Sequence, residues 1–227
     1  AIGSLIKSIV ILLFFLTIRT WNRQISTLPQ DDQLHKLNTI RNYFYQNGFR
    51  QRVSKCKENA HITLLQLKDS LSKNFWSEVE SNLINTRKIN LTNFQIILQE
   101  HDRIKKNPER NKKYPEGCGR FALFFPKNQN LIHTAKKIRK IAENFGVDDS
   151  FVYAQNIANA TGECGSQQDI FNYLANHMNL CNYIRLDKMH LATTYFKQHF
   201  NTQSLIIDKI ALADDKGQLL NISYLKK

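Results

Sequence analysis

Cys164 is the residue whose setting is best suited to chemistry. It lies between Gly162 and Gly165, and Ser166 opens a run in which Ile170, Phe171, Leu174, Ala175 and Met178 recur at helical spacing. A thiol at the first turn of such a helix has its thiolate form favoured by the helix dipole and by unpaired backbone N–H groups, which turns a poor nucleophile into a useful one. The two glycines remove side-chain bulk beside the thiol and permit a sharp entry into the helix. Downstream, Tyr183, Ile184 and Leu186 suit a strand. Residues 189–196 predict a second strand with His190 near its start, residues 204–210 a third carrying Asp208, and residues 219–224 a fourth after a turn at 214–217.

A cysteine on a helix, a histidine on one strand and an aspartate on the next, with Gly162, Glu163, Cys164, Gly165, Ser166 and Gln167 as the local motif, resembles the Cys-His-Asp domain of YopT-like peptidases and related transglutaminase-like effectors of pathogenic bacteria. The resemblance covers residues 118–227. It implies a papain-like domain built on an antiparallel sheet, with Cys164 as nucleophile, His190 as general base and acid, and Asp208 holding the imidazole. Asp214 and Asp215 are rivals for the last role. His177, expected on the helix after Cys164, and His199 are both expected to face solvent, and they are the alternative bases. In this reading Cys164 attacks a protein amide and forms a thioester, which water or an amine resolves as proteolysis, deamidation or transglutamination. The backbone N–H of Cys164 meets the oxyanion, with Asn156, Asn159 or Gln167 as a second donor and Gly165 leaving room for it. The plain alternative is that Cys164 is a small core residue at a tight turn.

Metal binding is disfavoured. Cys56, Cys118, Cys164 and Cys181 form no Cys-x-x-Cys half-site, and no His-x-x-x-His pair supports them. No glycine-rich phosphate loop or dinucleotide fingerprint appears, so no cofactor is expected. A chain of 227 residues can bury a sizeable core without disulfides, and reduced thiols are the simpler assumption.

The net charge of +13 implies attraction to something negative: an anionic lipid membrane, nucleic acid or an acidic partner. Residues 8–18 form an uncharged apolar run, and Lys7 can snorkel, so residues 1–23 read as a short membrane anchor, with a signal segment or a buried helix as competitors. Trp21 and Arg23 suit an interfacial belt. Basic charge is heavier after the run than before it, which places the main body on the cytoplasmic side; a secreted effector is the alternative. These features also describe a different class of protein, a non-catalytic basic subunit of a membrane or ribonucleoprotein assembly that contacts lipid or RNA phosphates.

The elements that must position the candidate site divide the chain in two. Residues 31–112 predict a helical region: one helix from Asp31 or Asp32 through Leu34, Leu37, Ile40 and Phe44 to Asn47 and Gly48, one holding Leu64, Leu67, Leu71 and Phe75, and one holding Phe94, Ile97 and Leu98. The polar, basic stretch 103–113 reads as a linker. Residues 113–227 then open with a strand over 120–125 and a helix with Leu131, Ala135, Ile138, Ala142 and Phe145 on one face and Lys136, Lys137, Arg139 and Lys140 on the other. A further helix over 150–159 delivers the chain to Cys164. The expected class is therefore α+β, with a hydrophobic N-terminal helix, a helical region and a papain-like C-terminal domain.

Overall fold

Pro29 ends a strand and Asp31 starts a helix, a strand-to-helix step that recurs through the chain and sets its architecture. The computed structural model describes residues 23–50, 59–67, 74–100, 118–147, 176–214 and 217–226. Its elements are β1 (Arg23–Pro29), α1 (Asp31–Gln46), β2 (Ile62–Leu67), α2 (Phe75–Leu83), β3 (Ile89–Thr92), β4 (Gln95–Glu100), β5 (Cys118–Phe124), α3 (Gln129–Asn144), β6 (His177–Arg185), α4 (Met189–His199), β7 (Ser204–Asp214) and β8 (Leu219–Tyr224). A single 3-10 turn, Leu186–Lys188, joins β6 to α4.

These described elements repeat. The order β1-α1-β2-α2-β3-β4 is matched by β5-α3-β6-α4-β7-β8. The two halves then exchange strands. In the five-stranded sheet the order is β2-β1-β7-β3, with β8 also on β7; in the three-stranded sheet it is β4-β5-β6, and every ladder is antiparallel. The second half thus lends β7 and β8 to the sheet of β1 and β2, while the first half lends β4 to the sheet of β5 and β6. Helices cross over in the same sense: α3 packs on β2 and α2, and α1 packs on β6 and α4.

The helices form where the sequence supports them. In α1, Leu37, Ile40 and Phe44 are buried at spacings of three and four, and Asp31 and Asp32 in the first turn complement the helix dipole. Its end at Asn47 leads to Gly48 at φ +69°, a left-handed conformation that glycine adopts without a side-chain penalty. In α3 the side chain of Asn128 accepts from the Leu131 N–H, satisfying one of the unpaired first-turn donors, and Leu131, Ala135, Ile138 and Ala142 face the core. Aromatic contacts bind helices to sheet: Phe121 of β5 lies 5.4 Å from Phe44 and 5.7 Å from Phe196 between ring centroids.

The α+β class with antiparallel sheets holds, as do α1, α3 and the strands at β5, β7 and β8. Other expectations are corrected. Leu64 and Leu67 belong to strand β2, because Ile62 and Leu64 alternate with the more exposed His61 and Thr63, a period of two rather than 3.6. Phe94 precedes strand β4 instead of opening a helix, and Ile97 lies within that strand. Residues 189–196, expected as a strand, fall in α4, with Ala192 and Phe196 buried four apart. The β-branched Thr193 and Thr194 that suggested a strand donate their hydroxyls to the carbonyls of Met189 and His190 one turn earlier. His177, expected near the end of a helix, begins strand β6. Among the described residues no helix is long and apolar enough to cross a membrane; the apolar run at 8–18 lies outside them.

Candidate active site

The repeat brings two short motifs into equivalent positions. Ala60, His61, Ile62, Thr63 and Leu64 lead into β2; Asn176, His177, Met178, Asn179 and Leu180 lead into β6. Each reads histidine, apolar, small polar, leucine. In both, the apolar residues point to the core: Ile62, Leu64, Met178 and Leu180 are at most 1% exposed. Side chains two apart on a strand share a face, so His61 with Thr63 and His177 with Asn179 take the opposite face in each sheet. The strands β2 and β6 pack against each other, which makes these two pairs counterparts across the junction of the halves.

His61 is held in one tautomer. Its Nδ1 lies 2.7 Å from the Asn59 carbonyl oxygen, which can only accept, so Nδ1 carries the proton. Nε2 therefore presents a lone pair, and Gln24 Nε2 donates to it at 3.2 Å. Gln24 is oriented in turn by Gln66, whose Nε2 donates to Gln24 Oε1 at 3.2 Å, and the two glutamines are direct partners in the β1–β2 ladder. The chain Gln66 to Gln24 to His61 fixes an imidazole that can take up a proton at Nε2.

The surrounding strand faces leave polar atoms without partners. Ser26 is the ladder partner of Thr63, and its buried Oγ makes no hydrogen bond among the described residues. The buried Oδ1 of Asn179, opposite Ala122 on β5, also lacks a partner among the described residues. Such orphaned groups cost free energy unless something meets them, and they occur on the same strand faces as the two histidines. Alanines at 211 and 213 pair with Ser26 and Gln24, keeping that face of the larger sheet low.

The residues expected to carry chemistry are placed elsewhere or lie outside the described part. Cys164, Gly165, Gln167, Asn156 and Asn159 are outside the described residues, as is Asp215. His190 is exposed on the first turn of α4 instead of standing on a strand. Asp208, on β7, is engaged by Lys209 at 3.0 Å and Lys88 at 3.8 Å. Asp214 accepts from the Gln218 N–H and shapes the β7–β8 turn. His199 is exposed and stacks on Tyr195 with centroids 3.9 Å apart. His177, expected in solvent, is instead buried at the start of β6. His61 was not singled out from sequence at all. The signal that could have found it is the recurrence of the histidine, apolar, polar, leucine pattern at 61–64 and 177–180. Among the described residues no group of three or more histidine, cysteine, aspartate or glutamate side chains could hold a metal.

The sequence matches no protein-family model and no curated protein. Among solved structures the chain is similar to one described as a phosphoesterase, at 12% identity and a TM-score of 0.46 over 91% of this chain and 99% of that one. It is similar at 12% identity and a TM-score of 0.46 to LigT of E. coli complexed with 3'-AMP, over 91% of this chain and 98% of that one. For TT0787 of Thermus thermophilus the identity is 10% and the TM-score 0.43, over 90% of this chain and 98% of that one. None of these neighbours is described as a thiol peptidase or transglutaminase, and the papain-like resemblance with its Cys-His-Asp acyl-transfer chemistry is corrected: His190 stands exposed on a helix instead of a strand, and Asp208 is held by Lys209 and Lys88.

Proposed function

We propose that the protein cleaves phosphodiester bonds, with nucleic acid as the substrate class, using His61 and His177 as an acid–base pair. One observation carries this reading: an internal repeat sets the same histidine-bearing motif at the head of β2 and of β6, two strands that pack together. Two imidazoles in equivalent positions suit a reaction that needs one proton removed and one supplied at the same centre. Displacement at phosphorus is such a reaction, because the attacking oxygen loses a proton while the leaving oxygen gains one. It also needs little from the protein beyond positioning and charge stabilisation.

His61 acts as the base. Its Nε2 lone pair takes the proton of the attacking hydroxyl or water as the new P–O bond forms, displacing Gln24 as donor. His177, protonated, gives its proton to the oxygen of the breaking P–O bond. One proton enters His61 and one leaves His177, so the pair ends reversed and resets through solvent. Thr63 and Asn179, two residues along each strand, offer donors to the non-bridging oxygens, which carry the negative charge throughout. The net charge of +13 draws a polyanion to the molecule.

The test is turnover of an oligoribonucleotide and of bis(4-nitrophenyl) phosphate. His61→Ala is expected to lower the rate by about 10²–10⁴, the range of a positioned acid or base. A rate unchanged in His61→Ala would remove it from the site.

A further inference from the structure

A cluster of basic side chains lines a cavity that includes neither His61 nor His177, in the angle between the α2–β3 connection and the first turns of α3. The cavity there, of about 430 Å³, is lined by Asn85, Thr86, Arg87, Asn130, His133 and Lys137 among others, with no carboxylate among the described residues of its lining. Arg87 makes no ion pair among the described residues. Lys137 Nζ donates one hydrogen bond to the Asn82 carbonyl at the end of α2, leaving further N–H donors. Lys226 Nζ donates to Asn85 Oδ1 at 2.7 Å, adding a cation at the rim and turning the Asn85 NH₂ group away from that bond.

Like charges gathered without a counter-charge repel one another, and the strain is relieved by an anion in their midst. The basic side chains differ in form: a planar guanidinium for paired hydrogen bonds, an ammonium as a point charge and an imidazole as a further donor. Asparagine and threonine groups add neutral donors. This is a donor set for a tetrahedral, multiply accepting anion. We propose that the cavity bounded by Arg87, His133 and Lys137 binds a phosphate group of a nucleic-acid strand, at a site separate from the one where cleavage occurs. The choice of nucleic acid rests on the phosphodiesterase reading; the phosphate chemistry does not.

The full chain is titrated with inorganic phosphate, with a fluorescent hexauridylate and with phosphatidylglycerol vesicles, as wild type and as Arg87→Gln, Lys137→Gln and His133→Ala. Arg87 is exposed, so its replacement tests the site without disturbing packing. Arg87→Gln and Lys137→Gln are each expected to weaken hexauridylate binding several-fold and to reduce the slope of log K against log salt by about 0.7, one single-strand phosphate contact. Inorganic phosphate should shift the His133 imidazole resonances in wild type and not in Arg87→Gln. Unchanged hexauridylate binding and salt slope in both charge variants would overturn the proposal. So would Arg87-dependent binding of vesicles without binding of hexauridylate. Failure of the cavity leaves the loss of turnover in His61→Ala intact, whereas failure of the cleavage reading leaves the Arg87 dependence of binding intact, so the two are told apart.

Discussion

Lys209 of β7 and Asp31 at the first turn of α1 meet at 2.9 Å, joining a strand from the second half of the chain to a helix from the first. The lysine side chain is 4% exposed, and it also donates to Asp208 Oδ1 at 3.0 Å and to the Pro29 carbonyl at 3.1 Å, with the Tyr224 ring 5.8 Å away. A buried ammonium is costly unless its hydrogens are met, and here three oxygens meet them. The contact therefore marks the exchange of strands between halves.

Lys209→Ala is expected to lower the unfolding free energy by roughly 2–4 kcal/mol, because it strands a partly buried carboxylate and removes a packed aliphatic stem. Asp31→Ala should cost less than about 1 kcal/mol, since that side chain is largely in water. Urea melts of the two variants give the comparison.

The same cluster has a pH signature. Burial alone pushes the Lys209 ammonium down, but hydrogen bonds to Asp31 and Asp208 outweigh it and hold its pKa above the ordinary lysine value. A group with a raised folded-state pKa contributes stability that is fully present below its unfolded pKa, about 10.4 for lysine, and is lost as pH rises through the folded value. The stability gap between wild type and Lys209→Met, followed by urea melts from neutral to strongly alkaline pH, is expected to stay constant through neutral pH and close only above the ordinary lysine range.

Phe121 tests the packing that carries β5 and, next to it, β6. It is fully buried between Phe44 of α1 and Phe196 of α4. Phe121→Ala is expected to destabilise the fold by about 3–5 kcal/mol through lost burial and the cavity left behind. Thermal unfolding followed by circular dichroism would measure it.

Gln24 acts through His61. Its amide donates to His61 Nε2 and is itself held by Gln66, so Gln24→Ala removes the hydrogen bond at Nε2 while the one from Nδ1 to the Asn59 carbonyl stays. The expected result is about a tenfold fall in kcat with little change in KM, together with a broader His61 tautomer population in ¹⁵N spectra. Gln24→Asn restoring the ordered tautomer would confirm that positioning is the role, whereas Gln24→Glu, whose carboxylate can only accept, should not restore it.

Much of the class was legible and the site was not, for reasons that lie in particular residues. Leu37, Ile40 and Phe44 repeat at helical spacing within a sixteen-residue helix, long enough for the period to be unambiguous. Leu64 and Leu67 sit three apart in a six-residue strand, where a short apolar run fits either period. The Thr193–Thr194 pair favours a strand by propensity, yet packing of Ala192 and Phe196 against the sheet decided for a helix. Exchange of β4 for β7 and β8 joins residues far apart in the chain, such as Gln24 and Ala213, and no local pattern announces it. His61 and His177 are linked through that topology, and only the short recurrence at 61–64 and 177–180 hints at it in the sequence. Cys164 drew attention because a glycine-flanked thiol is locally conspicuous.

The central claim is that His61 and His177 serve one reaction. Its most direct measurement is phosphodiester turnover by His61→Ala, His177→Ala and the double variant, with folding checked by circular dichroism. Residues acting as a unit are not additive, so each single variant is predicted to lose about 10²–10⁴ in rate and the double variant little more than the worse single one. Wild-type rates in either folded single variant, or losses that multiply in the double variant, would contradict a shared site.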